Sequence, residues 1–204
     1  MDFPIPASDY ESKELDRTRK VLTGLIYAKQ LNPSHIMCVD ADDCVSRHIA
    51  EYVKQHPQSY GWFIKKGYVY KDGANIIRIM RKGFDQFCGT SHIIRYDCFD
   101  LPETVDEDEH IQLIYKYYLH RQVRNTLANK GIAIEPLPFA GAVYVVGNTE
   151  NIYVGVEDQG RKISLQTRLL RMKALFDNRL LTRSIREEFG LFDVSKTPSH
   201  GIFD

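Results

Sequence analysis

Apolar residues recur at intervals of three and four, with charged residues between them, in several stretches of the chain. This spacing predicts amphipathic helices. The first predicted helix ends at Asn32-Pro33, a stop signal. Ser46 is the predicted N-cap of the second. The last is predicted to break near Asp177-Asn178. The predicted helical stretches are residues 12–30, 46–55, 110–129 and 165–189.

Short apolar runs lie between these helices and predict β-strands. The clearest signal is a hairpin, in which two such runs flank the turn Lys71-Asp72-Gly73. Strands and helices therefore alternate along the chain, which predicts the α/β class. The predicted strands cover residues 35–39, 62–64, 67–70, 75–80, 92–95, 132–137 and 142–146.

Composition places the chain among globular proteins. It has 204 residues, 43% of them hydrophobic and 26% charged, with a formal net charge of zero, so nothing in the overall balance indicates a nucleic-acid partner. The four cysteines show no C-x-x-C spacing, which argues against a structural zinc site. No apolar run reaches the roughly 18 residues of a membrane span, and no signal peptide is evident. These features predict a cytoplasmic protein.

The most informative motif is an acidic cluster directly after the strand at residues 35–39. Asp40, Asp42 and Asp43 follow that apolar run, and ligands of α/β proteins bind at the carboxyl ends of strands. Carboxylates this close repel one another unless a cation neutralises them, and hard oxygen ligands suit Mg²⁺ or Mn²⁺. The other interpretation is a solvated, Asp-rich turn that caps the next helix.

The segment from His35 to Asp43, an apolar strand that ends in Asp-Ala-Asp-Asp, resembles the D-x-D region of GT-A glycosyltransferases, especially those of family two. The similarity spans roughly residues 10–150. A GT-A domain has a first βαβ unit before this point, which holds the nucleotide base, and the chain shows none. Further matching pieces follow in the family's order: Gly61-Trp62, Gly67-Tyr68, Cys88-Gly89-Thr90-Ser91 and Pro136-Leu137-Pro138-Phe139.

The resemblance implies an N-terminally truncated GT-A-like domain over residues 1–158, a mixed Rossmann-like sheet flanked by helices. A helical extension, residues 159–204, would pack on it. Implied partners are a nucleotide-sugar donor and a glycan or other hydroxyl acceptor. Implied metal ligands for Mn²⁺ or Mg²⁺ are Asp40, Asp42 and Asp43. Asp40 and Asp42 would contact the metal and the donor's ribose or diphosphate. Arg17 and Lys20, on the first predicted helix, could neutralise the diphosphate oxygens or could belong to a solvated helix face.

The resemblance also implies a catalytic base and an acceptor site. Asp108, with Glu107 beside it, stands where the family places its base, although acidic residues also suit the first turn of a helix. On the acceptor side, Trp62 could stack on a sugar or belong to the core. Gly89, Thr90 and Ser91 could bind the acceptor or form an ordinary bend.

Two other functions fit parts of the pattern. A haloacid-dehalogenase-type phosphohydrolase also has Asp-x-Asp after an apolar strand, but Cys44 stands where that family usually has Thr or Val. The other alternative is a non-catalytic domain that binds sugar or metal.

The basic amphipathic stretch at residues 161–186 could lie on the inner face of an anionic membrane or pack on the domain. Oligomeric state has no sequence signal here.

Overall fold

The computed structural model of the chain describes residues 9–103, 111, 114, 120–147 and 177–191. Within these residues it contains two mixed β-sheets and several helices, so the predicted α/β class is confirmed. Ile111 and Ile114 are also helical. The α-helices are α1 (Tyr10–Ala28), α2 (Ile49–Gln55), α3 (Phe84–Phe87), α4 (His120–Asn129) and α5 (Arg183–Phe189).

Helix α1 starts and stops on local signals that the sequence carries. The Asp9 carboxylate accepts a hydrogen bond from the Ser12 backbone N–H at 2.9 Å and so caps the first turn. A 3-10 turn, Lys29–Leu31, extends the helix until Asn32 adopts a left-handed backbone conformation with φ of 46°. The helix predicted at residues 12–30 is therefore confirmed, with a start two residues earlier.

The first sheet has four strands in the order β1-β6-β3-β7. Strand β6 pairs antiparallel with both β1 and β3, and β7 runs parallel to β3. Ile36 lies opposite Ile94 and Trp62 opposite Ile93, and adjacent residues of a strand face opposite sides of its sheet. The strands are β1 (His35–Met37), β3 (Gly61–Phe63), β6 (His92–Arg95) and β7 (Glu135–Pro136).

The second sheet has five strands in the order β2-β8-β4-β5-β9. Strands β4 and β5 form the predicted antiparallel hairpin, and its turn places Gly73 at a φ of 75°. Strand β8 runs parallel to β4. Two very short strands at the sheet's edges, β2 and β9, had no sequence signal. The strands are β2 (Cys44–Val45), β4 (Lys66–Lys71), β5 (Ile76–Met80), β8 (Ala140–Val146) and β9 (Asn178–Leu180).

The described part of the predicted helical extension belongs to the second sheet. Helical structure was expected on both sides of Asp177-Asn178, but residues 178–180 form β9, which pairs antiparallel with β5. Leu181, Phe189 and Leu191 are buried in the same cluster as Val143. Helix α5 is confirmed as helical, whereas the helix across 178–180 is wrong because backbone pairing with β5 decides that conformation.

Helices cover both faces of the first sheet. On one face, Leu22 and Leu25 of α1 pack with Ile111, and Val123 of α4 packs with Ile94. On the other face, Trp62 and Ile93 pack with α2. Buried area of this kind stabilises the fold by roughly 25 cal/mol per Å² of apolar surface. No described helix is long and apolar enough to cross a membrane.

The chain passes from the first sheet to the second at three places, between β1 and β2, between β3 and β4, and between β7 and β8. The acidic cluster occupies the first of these crossings, residues 40–43. Its carboxylates therefore lie between the two sheets, at the carboxyl end of β1.

Candidate functional site: an acidic turn between two sheets

The acidic cluster forms a tight turn, which we call the acidic turn (Asp40, Ala41, Asp42 and Asp43). The Asp43 backbone N–H donates a hydrogen bond to the Asp40 carbonyl oxygen at 3.0 Å. The Asp40 backbone N–H in turn donates to the Thr90 hydroxyl oxygen at 2.9 Å. The Thr90 hydroxyl also hydrogen-bonds to the Asp43 side chain. One buried threonine therefore holds both ends of the acidic turn.

Arg17 of α1 forms an ion pair with the first carboxylate of the acidic turn. Its Nη2 lies 2.8 Å from Asp40 Oδ1, and both side chains are 37% exposed. Among the described residues, none donates a hydrogen bond to the other oxygen, Asp40 Oδ2. Half-exposed pairs of this kind contribute little to stability, so the contact matters more for where it places the guanidinium than for its energy.

Gly89 is required by the close approach of this ion pair. A Cβ atom at position 89 would lie 2.6 Å from Asp40 Oδ2 and 2.7 Å from Arg17 Nη2. Both distances are shorter than real Cβ contacts, so any side chain would push the pair aside. Gly89 therefore acts through the absence of a side chain, a role consistent with its position in a small-residue bend.

Asp43 points into the protein. Its Oδ2 accepts a hydrogen bond from the Cys88 thiol at 3.1 Å, and its Oδ1 accepts one from the Val145 backbone N–H at 3.4 Å. Burial raises the pKa of the Asp43 carboxyl, and the charge of Asp40 adds to that rise. Burial likewise raises the pKa of the Cys88 thiol, together with the Asp43 charge. Asp43 is thus the structural member of the cluster.

Tyr144 of β8 lies beside the whole acidic turn. Burial raises the pKa of its phenol, and the charges of Asp43, Asp42 and Asp40 all add to the rise. Its ring also makes an edge contact with Phe87 at a centroid distance of 5.1 Å. The second sheet therefore contributes the Tyr144 side chain to the site, where its hydroxyl lies close enough to the three carboxylates to feel their charges.

The sequence predicts a divalent cation at the acidic turn. In the part of the chain that the structure describes, no group of three or more His, Cys, Asp and Glu side chains is arranged to hold a metal ion. Mg²⁺ and Mn²⁺ commonly bind through one or two carboxylates, with waters and phosphate oxygens completing the shell. Both oxygens of Asp43 already accept hydrogen bonds, which sets it apart from a carboxylate that is available to such a cation. The metal assignment stays a prediction.

Other predicted site residues are in different surroundings. Lys20 forms an ion pair with Asp16 at 2.6 Å, one turn away on the same helix, as the solvated-face interpretation expected. Thr90 and Ser91 have no exposed surface, and Trp62 is only 1% exposed. Their side chains therefore build the interior in this conformation and have no free face for an acceptor. Glu107 and Asp108 lie outside the described residues, as does most of the basic stretch at 161–186.

Ser46 is not the N-cap residue of α2, but its hydroxyl bonds to the backbone directly before that helix and also reaches α5. Helix α2 begins at Ile49, and its N-cap residue His48 makes no side-chain capping bond. The Ser46 hydroxyl accepts a hydrogen bond from the His48 backbone N–H at 3.3 Å and donates one to Glu188 Oε1 of α5 at 2.7 Å. The Arg47 backbone N–H donates to the Glu188 carbonyl oxygen. Helix α5 thereby holds the exit of the acidic turn, a contact between residues 142 positions apart that no sequence pattern signals.

Sequence reasoning also missed His92, which is buried beside the site. It is 7% exposed, and its Nδ1 lies 3.0 Å from the Ser91 hydroxyl. Its place within an apolar strand run was the available signal. The pKa of His92 is lowered to about 4, chiefly by burial. The nearby charges of His120 and Arg124 contribute to this lowering, whereas the charge of Asp85 partly opposes it.

This depressed pKa predicts a stability loss in acid. Between the ordinary pKa of 6.5 and about 4 the unfolded chain binds the His92 proton and the folded protein does not, so stability is complete above pH 6.5 and falls towards pH 4. At about 1.4 kcal/mol per pKa unit the loss is about 3 kcal/mol. Urea unfolding measures the free energy of unfolding of wild type and of His92→Gln across this pH range. The stability advantage of wild type over the variant should shrink as the pH falls. Stability profiles that stay parallel would contradict the role of His92.

Comparison with known proteins adds no relative. No family model matches the chain, and neither a curated protein nor a solved structure is similar to it at a significant level.

Proposed function

We propose that the chain is a metal-dependent glycosyltransferase of the GT-A type that moves a sugar from a nucleotide-sugar donor to a hydroxyl acceptor. The observation that carries the proposal is the acidic turn. It presents carboxylates at the carboxyl end of β1 in a mixed α/β fold, beside a guanidinium. Carboxylates and a guanidinium held together in this way can bind a divalent cation and the phosphate oxygens that it coordinates.

Each residue of the acidic turn has a distinct part in this proposal. Asp40 and Asp42 would hold Mn²⁺ or Mg²⁺, which supplies positive charge to the donor's diphosphate. Arg17 can bind a phosphate oxygen as well as Asp40, because its guanidinium has five N–H donors and only one of them is bonded to Asp40. A charge-assisted hydrogen bond from Arg17 would stabilise a phosphate oxygen as negative charge develops. Thr90 holds the backbone in place.

The proposed reaction balances without any further reactant. The acceptor oxygen forms a bond to the anomeric carbon of the sugar, and the bond from that carbon to the donor phosphate oxygen breaks. The electron pair of that bond leaves with the nucleoside diphosphate, while the acceptor's proton passes to a base. Asp108 stays the predicted base in this scheme.

A thermal-shift titration tests the donor site. Wild-type protein should melt at a higher temperature only when Mn²⁺ and one nucleoside diphosphate are both present, because a ligand that binds only the folded state stabilises it. The gain is about 2.7 kcal/mol at roughly one hundred times Kd. Asp42→Ala should lose this response, because it removes a metal ligand from the turn.

Asp72→Ala is the matched control. Asp72 is an exposed aspartate in the tight turn after β4, where its carboxylate accepts a bond from the Gly73 N–H. This variant should keep the full metal and nucleotide response. A response to Mn²⁺ alone would indicate a metal site without a donor site, and an unchanged response in Asp42→Ala would move the metal elsewhere.

A further inference from the structure

A pocket lies between α1, α4 and the first sheet, next to the acidic turn. Most of the described residues that line it are hydrophobic, and we call it the apolar pocket. They come from α1, β1, β6, α4 and the segment between β6 and α4, so only the folded chain brings them together. The hydrophobic residues used below are Leu25, Ile94, Ile114 and Val123.

The apolar pocket runs from the protein surface into the core. Its mouth includes Arg17, whose side chain is 37% exposed, and the exposed residue Cys38. Its deep wall includes Leu25 and Val123, both only 3% exposed. The pocket therefore opens on the side of the ion pair between Arg17 and Asp40.

The polar side chains around the pocket leave little hydrogen-bonding capacity for an occupant. Nε2 of His92 and Nε2 of His120 are inaccessible to solvent, so these atoms do not face the open volume. Nδ1 of His92 already lies 3.0 Å from the Ser91 hydroxyl. The Thr18 hydroxyl donates to the Glu14 carbonyl oxygen at 2.8 Å. Deep in the pocket, an occupant therefore meets mainly hydrocarbon.

The volume of the pocket sets the size of its occupant. It measures about 70 Å³, more than twice the roughly 30 Å³ that a water molecule occupies. Close-packed interiors contain few voids of this size, and an ordered water needs two to four polar partners. An apolar group therefore suits the deep wall better than water does. A cavity of about 150 Å³ holds benzene, so a pocket of about half that volume has room for about three carbon atoms.

The mouth of the pocket favours a polar group without net charge. The Arg17 guanidinium and the Asp40 carboxylate lie 2.8 Å apart, so their charges largely cancel. Both groups keep hydrogen-bonding capacity, because only one N–H of Arg17 is bonded to Asp40 and only one oxygen of Asp40 accepts that bond. A neutral polar group can therefore hydrogen-bond at the mouth while an attached apolar group lies inside.

We propose that the apolar pocket binds the short alkyl end, of about three carbon atoms, of a ligand whose polar part lies beside the Arg17–Asp40 pair. The alkyl end packs against Leu25, Ile94 and Val123, and each methylene that leaves water adds to the affinity. The ligand is an amphiphile with a small apolar end. That this amphiphile is the acceptor of the sugar rests on the proposed function, whereas the binding itself does not.

The test measures how affinity depends on chain length, with metal and nucleotide both absent. The n-alkanols from methanol to pentanol, which have a small neutral polar end, are titrated into wild-type protein while methyl resonances are recorded by NMR. The δ1 methyls of Ile94 and Ile114 should shift and saturate, whereas that of Ile77, in the core of the second sheet, should not move. The dissociation constant should fall about fourfold per methylene up to propanol and then stay constant.

Variants assign the response to the pocket. Val123→Ile adds one methylene to the wall of the pocket, so the chain length at which the affinity stops rising should move from propanol to ethanol. Val53→Ile is the matched control, because Val53 lies on α2 and packs against the cluster that contains Trp62. This control should keep the limit at propanol. The wild-type series decides the matter even if Val123→Ile does not fold.

Three outcomes would overturn the proposal. The first is no saturable shift with any alkanol, even if xenon shifts the same methyls, because the space would then be a closed void. The second is an affinity that keeps rising through pentanol, as nonspecific hydrophobic binding would give. The third is an unchanged propanol limit in folded Val123→Ile protein. Loss of the proposed function shows itself separately, as a protein that has the propanol limit but gives no metal-dependent nucleotide response.

Discussion

Replacing Trp62 with alanine is expected to lower the free energy of unfolding by about 3–5 kcal/mol, the range for large aromatic residues in well-packed cores. The indole is 1% exposed, stacks on the His35 ring at 5.3 Å and meets the edge of Tyr52 at 5.4 Å. Deleting it leaves a cavity at the centre of the cluster between α2 and the first sheet. Urea unfolding at neutral pH measures the change.

Tyr60 provides the control for this prediction. It lies two residues earlier, is 43% exposed, and packs against the Arg95 guanidinium at 4.3 Å. Tyr60→Ala should cost less than about 1 kcal/mol, as surface substitutions usually do. If Trp62→Ala cost no more than Tyr60→Ala, the indole would not be a core residue.

Replacing Gly89 with alanine is expected to remove the metal-dependent nucleotide response while leaving the fold intact. The new Cβ would collide with Asp40 Oδ2 and Arg17 Nη2, which are the ends of flexible side chains and can move aside. The free energy of unfolding should therefore change by no more than about 1 kcal/mol. Sugar transfer should fall on the order of 100-fold, as displacements of about 1 Å at a reacting site can cause.

Gly24→Ala is the control for this substitution. Gly24 lies within α1, and a Cβ atom there would meet nothing within 4 Å. The same chemical change should therefore stabilise the protein by up to about 1 kcal/mol through helix propensity, with no effect on the metal response. A Gly89→Ala protein that kept its full response would show that the position of the Arg17–Asp40 pair does not matter for donor binding.

The acidic turn was predicted in part from the local sequence. The apolar run before it and the three acids within it predicted a strand that ends in a carboxylate cluster, and β1 lies there. Local sequence could not show that Asp43, predicted to assist Asp40 and Asp42 as a metal ligand, accepts hydrogen bonds from the Cys88 thiol and the Val145 N–H. These groups are 45 and 102 residues away and bind both of its oxygens.

Short strands mark a second limit. The β4–β5 hairpin has alternating residues and a glycine turn, so it was predicted, whereas β2 has two residues and β9 has three. Neither segment lies in an apolar run of three or more residues, whereas the equally short β1 and β3 do. Their conformation comes from backbone bonds to β8 and β5, which are distant in the chain.

The sequence by itself determined the α/β class, the first helix, the hairpin and the place of the acidic turn. These depend on periodicity and turn residues within a few positions of one another. Only the tertiary structure decided which acid faces Arg17, why Gly89 must lack a side chain, and that His92 and His120 line one pocket. Such contacts join residues far apart in the chain, and many donors and acceptors could pair equally well until packing selects one arrangement.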